Sequence, residues 1–212
     1  MKKNISIITG CALLLSISSI AYAAEGPYLC GNVGLAMAND SDVTEPVSLP
    51  GITLNFEFDK GFGVGGAVGY GIGNIRVEGE IAYQKNDMDK ATAEGFAGSA
   101  DLTGNISSTA LLFNGYYDFK NESAFTPFIS VGIGVAKVNV NDFNTPGSGV
   151  PNADEDDTVF AYQVGAGIAY AVNDRVNIDV KYRYFATEDP EFDTVKTEYS
   201  SHNVYAGVRV YF

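Results

Sequence analysis

The single histidine of the chain, His202, follows Ser200 and Ser201. A serine beside a histidine is the smallest pairing that can make an activated nucleophile, and it needs a third group to orient the imidazole. Asn203 and Val204 come next, so no H-x-S arrangement follows. No carboxylate is pinned beside a second partner by its spacing. His202 therefore reads as a solvated or hydrogen-bonded side chain, and no catalytic residue is expected.

Charge offers a second kind of chemistry. In residues 74–84, NIRVEGEIAYQ, Arg76, Glu78 and Glu80 alternate with Ile75, Val77 and Ile81. Residues 175–185 repeat the pattern, with Asp179, Lys181 and Arg183 set against Val176, Ile178, Val180, Tyr182 and Tyr184. Asp118 and Arg209 hold the same phase in two other segments. A period of two places all eight charges on one face of β-strands. Four are basic and four acidic. Such a set can pair into a fixed structural network, or exchange partners and gate a path for small ions.

The remaining acids fall outside these segments. They include Asp40, Asp42 and Glu45, then Asp87, Asp89, Glu94 and Asp101, then Asp142 and the run Asp154, Glu155, Asp156 and Asp157. A last group is Glu188, Asp189, Glu191, Asp193 and Glu198. The run at 154–157 is rich in oxygen but lacks the spaced D-x-D-x-D-G calcium loop. These acids read as solvated surface, suited to a cationic partner or to a divalent cation bridging to phosphate. No metal site and no cofactor motif is expected.

The positioning elements follow from the same alternation. It recurs at 28–37, 62–72, 74–84, 107–119, 125–138, 159–172, 175–185 and at the end of the chain, which makes eight strands. Three connections are tight and carry turn residues: Gly73-Asn74, Asn121 to Ala124, and Asn173-Asp174. Four others are long and polar, roughly 38–51, 86–106, 141–157 and 186–201. Short turns on one side and long loops on the other describe a single eight-stranded, antiparallel, up-and-down transmembrane barrel. Residues 52–58 also alternate, and either extend the second strand or form a small hairpin bent at Asp59-Lys60-Gly61.

The charged faces decide which way the sheet turns. A mid-membrane Arg facing lipid costs about 2–4 kcal/mol. An inverse, soluble arrangement would need a second layer over the opposite face, and no helical period supplies one. The charges face inward. Cys30 shares that face as a small filler. Aromatics cluster at strand ends, with Tyr70, Tyr117, Phe119, Phe125, Tyr170 and Phe212 at one edge and Phe62, Tyr83, Phe160, Tyr162, Tyr182 and Tyr184 at the other. Two such girdles mark the two membrane interfaces.

The N-terminus adds a targeting expectation. Met1-Lys2-Lys3, an apolar run from Cys11 to Ile20 and Ala21-Tyr22-Ala23 make a secretory signal peptide over 1–23, leaving 24–212 as the barrel domain. Ile8-Thr9-Gly10-Cys11 also matches a lipoprotein box, although the apolar core lies mostly after Cys11. The net charge of −13 becomes −15 once Lys2 and Lys3 are gone. That excess argues against binding nucleic acid. Cys30 is then alone, so no intramolecular disulfide is possible.

FGVGGAVGYGIGNIRVEGEIAYQ, PFISVGIGVAKV, AYQVGAGIAYAVNDRVNIDVKYRYF and HNVYAGVRVYF together resemble the eight-stranded barrels of the opacity and OmpA/OmpX type, often called porin-family surface antigens. The resemblance implies an outer membrane of a Gram-negative bacterium, with lipid and lipopolysaccharide around a monomer. It implies a structural, surface-exposed role, with loops acting in adhesion or as antigen, or alternatively a small low-conductance pore. Rim lipid-modifying enzymes exist among such barrels and are the least favoured reading. Val204, Ala206, Val208, Val210 and Phe212 resemble the signal read by barrel-assembly machinery, which periplasmic chaperones would feed. The chain stops at the last strand, so the peptidoglycan-binding activity of longer relatives is not carried over.

Overall fold

The computed structural model describes residues 25–39, 41–44, 53–58, 61–93, 99–101, 103–144, 153–188, 191–192, 195–196 and 199–212. The proposed signal segment 1–23 lies outside the described residues. Eight staves form the fold: β1 Gly26–Ala38, β2 Gly61–Ile72, β3 Ile75–Ala93, β4 Thr103–Asp118, β5 Phe125–Asn144, β6 Ala153–Ala171, β7 Val176–Thr187 and β8 Ser200–Tyr211. Each pairs antiparallel with the next, and β8 returns to β1 with Tyr28 opposite Tyr211 and Met37 opposite His202. The sheet is closed. It is an all-β barrel, as the alternation requires.

The tight turns use the residues the sequence offers. Gly73 takes φ +55°, a left-handed conformation that glycine reaches without a Cβ clash, and it reverses the chain between β2 and β3. Asn121 Oδ1 accepts the Ser123 N–H at 2.8 Å in the next turn. In the third, Asn173 Oδ1 accepts both the Arg175 and the Val176 N–H groups at 2.9 Å. These side chains replace backbone partners that the ladder cannot supply there.

Exposure shows the inversion. Val131 is 63% and Leu111 62% exposed, while Arg76 and Glu80 are each 2% exposed. Aromatics frame the apolar band, with Tyr117 against Phe119 and Phe125 against Tyr170 at the turn end, and Phe62 against Tyr83 at the loop end.

Two of the long polar connections are shorter than the alternation suggested. Asn86 to Ala93 belongs to β3, Thr103 to Ile106 to β4, Asn141 to Asn144 to β5 and Ala153 to Asp157 to β6. A membrane crossing needs only about 9–11 residues per strand, whereas β3, β5 and β6 run to 19, 20 and 19. In these outer segments the apolar period disappears from the sequence although the ladder continues, as at Val140 opposite Glu155. The open question at 52–58 resolves towards an extension of the second strand's position, and the hairpin bent at Asp59-Lys60-Gly61 is not the pairing found. Thr53–Phe58 pairs with the outer part of β3, continuing the position of β2, and also with Ser41–Thr44. The register slips between Glu57 and Phe58.

Glycines on the two faces should differ in tolerance. A Cβ on Gly134 would land on the Leu111 carbonyl oxygen, whereas one on Gly115 meets nothing within 4 Å. Gly134→Ala is expected to destabilise the barrel by about 1–3 kcal/mol. Gly115→Ala is expected to leave the urea midpoint of the refolded barrel unchanged.

Candidate functional site

The inward faces of the staves build a column of side chains. Near the turn end, Arg76 grips Asp118 with Nε to Oδ2 at 2.8 Å and Nη2 to Oδ1 at 2.9 Å. Its Nη1 lies 3.5 Å from Glu78 Oε1, which also accepts the Tyr28 hydroxyl at 2.8 Å. The guanidinium sits 4.2 Å above the Tyr116 ring and 5.1 Å from Phe128. Beside it Arg209 Nη2 meets Asp179 Oδ1 at 3.1 Å, between the rings of Tyr28 and Tyr211.

The middle level holds one bidentate pair. Arg183 donates from Nη1 and Nη2 to the two oxygens of Glu80, each at 3.0 Å. Asn114 donates to Glu80 Oε2 at 2.6 Å and accepts from Gln163 Nε2 at 2.6 Å. Lys181 is also inside and 5% exposed, outside these pairs. All eight charges singled out in the sequence thus share one buried column.

Above them the interior turns apolar. Ile106, Ala110, Leu112, Ala136, Val138, Ala161, Phe185 and Tyr199 form one buried cluster at the loop end. Gln84 tethers it, donating to Tyr199 Oη at 2.9 Å and Ser201 Oγ at 3.2 Å. The alternation had assigned the charges to the lumen without indicating this cap. Ile106 and Val138 hold the inward phase, but each lies at the border of a supposed loop.

Several inward positions beside the charges are glycine and carry no side chain of their own to fill the lumen. Neighbouring side chains occupy the space instead. The Tyr205 ring lies over Gly63, the Tyr28 ring over Gly69, and Phe128 over Gly167. Asn114 and Gln163 fill the space over Gly132. Cys30 is buried in the same interior, with Sγ 3.6 Å from Asn32 Oδ1.

His202 faces the outside of the barrel between Tyr182 and Tyr184, with Nδ1 engaged by the Tyr182 hydroxyl. Ser201 faces inward and is fully buried, accepting from Gln84 and Asn203. Ser200 Oγ accepts from Asn39 Nδ2 at 2.8 Å. Adjacent strand residues point to opposite faces, so the Ser201–His202 pair cannot converge. Val204, Ala206, Val208, Val210 and Phe212 form the outward row of β8 and the residue that follows it. Of the acids at the loop end, Asp87, Asp156 and Glu188 are exposed. Asp40, Glu45, Glu94, Asp189, Asp193 and Glu198 lie outside the described residues.

A closed eight-stave barrel, apolar outside and charge-paired inside, with short turns at one end and tall strands at the other, is an outer-membrane β-barrel protein. The chain belongs to the outer membrane protein beta-barrel domain family, whose profile matches residues 9–212. It is 30% identical to outer membrane protein PagN of Salmonella typhimurium over 199 residues, covering 86% of this chain and 83% of that protein. It is 28% identical over 216 residues to RC1281 of Rickettsia conorii, named as a candidate adhesin, covering 91% and 85%. The crystal structure of Neisserial surface protein A shares the fold, with a TM-score of 0.58 at 24% identity over 88% of this chain and 97% of that one. The protein resides in the outer membrane as a surface-exposed barrel.

The middle pair sets a test of the column. Glu80→Gln leaves Arg183 without its anion, a loss of about 3–5 kcal/mol. The double variant Glu80→Leu, Arg183→Met removes both charges and should recover most of that, read as urea midpoints of barrels refolded in one lipid.

Proposed function

We propose that this protein is a non-catalytic surface barrel whose extracellular end contacts cationic host or environmental surfaces, while its lumen stays closed. The observation that carries the reading is the filled interior. Two levels of paired charges are capped by Ile106, Leu112, Val138, Phe185 and Tyr199, and aromatic rings occupy the glycine sockets. An eight-stave barrel is just wide enough to be filled in this way. The adhesin name of the Rickettsia relative supports the outward-directed half of the proposal. So does the −13 charge of the chain, together with the acids of its loop end.

The separation of Ser201 from His202 and the capture of His202 by Tyr182 support a non-catalytic role. The outward row ending in Phe212 is the proposed signal for barrel-assembly machinery. A gated pore is the second reading. It draws on Arg209, whose Nε and Nη1 lack partners in the structure, and on Glu78 Oε2, which is equally unpartnered. Those groups could take new partners if the column rearranged.

Single-channel recording separates the two readings. The refolded barrel is expected to show no discrete steps, and Arg76→Ala with Glu78→Ala to leave it silent or leaky without a fixed unit conductance. Regular steps in the wild type that this change alters would favour the pore instead. Changing Asp154, Glu155, Asp156, Glu188, Asp189, Glu191 and Asp193 to the corresponding amides is expected to reduce binding of cells to immobilised host surfaces, with the barrel still folded by its heat-dependent gel shift.

A further inference from the structure

The lipid-facing side of the staves carries very little positive charge. Among the described residues its cations are Lys85 on β3 and Lys137 on β5, with side chains 35% and 51% exposed. Both share the outward phase, Lys85 with Ile81 and Lys137 with Ile133 and Val135. They are close neighbours on the wall. Thr109 of β4 stands opposite Tyr83 on one side and opposite Lys137 on the other. Lys85 is the next outward position after Tyr83, and Thr158 of β6 faces Lys137. Two ammonium groups and three hydroxyls therefore lie on four consecutive staves. The lysine positions are roughly 12 Å apart by strand spacing and rise, within reach of two flexible side chains converging on one head group.

Height and surroundings specify what fits. Lys85 is ten residues above Ile75 and Lys137 twelve above Phe125. With a rise of about 3.3 Å per residue and a tilt of about 40°, that is roughly 25–30 Å, the outer boundary of the apolar band. Immediately on the membrane side lie Ile81, Leu111, Val135 and Phe160, exposed at 59, 62, 48 and 42%. The far side of the barrel at this height presents Met37, Tyr182, Tyr184 and His202 instead. Cations above a broad apolar wall match an amphiphile with several acyl chains and phosphates on its head.

We propose that Lys85, Lys137, Tyr83, Thr109 and Thr158 form a docking site for the phosphorylated head of the outer-leaflet glycolipid, lipopolysaccharide. Its acyl chains lie along Ile81, Leu111 and Val135. Charge complementarity selects the occupant, because the chain carries −13 overall and repels phosphate elsewhere on its outer end. Asp87 and Asp156 now counter the lysines at 4.0 and 3.0 Å. Half-exposed pairs of this kind are weak, and a doubly charged phosphate displaces them. The site lies on the barrel wall and stands apart from the loop reading above.

The test compares wild type with Lys85→Gln, Lys137→Gln in micelles containing either bisphosphorylated lipid A or the same lipid with its phosphates removed. Lipid retained on the folded barrel is counted by native mass spectrometry. Wild type is expected to retain the phosphorylated lipid about five- to ten-fold better than the double variant, and the dephosphorylated lipid no better than the variant does. A control pair at the turn end, Lys120→Gln with Arg175→Gln, should behave as wild type. Equal retention by wild type and the lysine variant, or equal retention of the two lipids by wild type, would overturn the proposal. The gel shift confirms that each variant is folded before it is compared.

Discussion

Hydrocarbon offers no hydrogen-bond partner to a peptide group, and every other feature of this barrel depends on that constraint. A strand can cross only if both of its edges are paired, so the first stave must meet the last. Tyr28 opposite Tyr211 and Leu35 opposite Val204 complete that ring. Closure then fixes the size of the interior, and eight staves leave space for side chains rather than for a channel of water. The outward residues are released from packing and need only be apolar, whereas the inward ones must satisfy one another.

That second requirement explains the composition of the lumen. Charges inside a low-dielectric wall are costly unless paired and hydrogen-bonded. Each of Arg76, Arg183 and Arg209 has a carboxylate partner. The aromatic rings do two jobs at once. Tyr28 donates to Glu78 while lying over Gly69, and Tyr116 backs the Arg76 guanidinium. Inward glycine is thus a socket for the ring of an adjacent stave, and a closed core is assembled from alternating large and absent side chains.

Much of this was legible in the sequence because a period of two is a strong signal when one face must be apolar. Arg76, Glu78 and Glu80 sit between Ile75 and Ile81 with no other arrangement open to them in lipid. The same logic fails where lipid ends. From Asn86 onward the apolar alternation is lost from the sequence, so nothing in Asp87, Met88 or Asp89 reveals the ladder. Residues 52–58 were ambiguous for a related reason, since only pairing with β3 distinguishes an extension from a hairpin. Within the lumen, parity told which side chains point in but not their height or reach. Tyr28 and Tyr205 could be placed on the inner face, but their insertion over Gly69 and Gly63 depends on a register between staves that no single segment encodes.

The unequal height of the staves has a bearing on how the surface of this protein can change. Rows such as Asn139 opposite Asp156 and Lys90 opposite Asp101 stand above the membrane, so the chain reversals hang from a prefolded stem. Lengthening a connection at the top of that stem costs only about 0.6 kcal/mol for each doubling, and none of the cost reaches the paired charges below. Variation at the tips is therefore insulated from the stability of the wall. The barrel serves as a mount on which foreign or diversified peptides can be carried without renegotiating how the chain crosses the membrane.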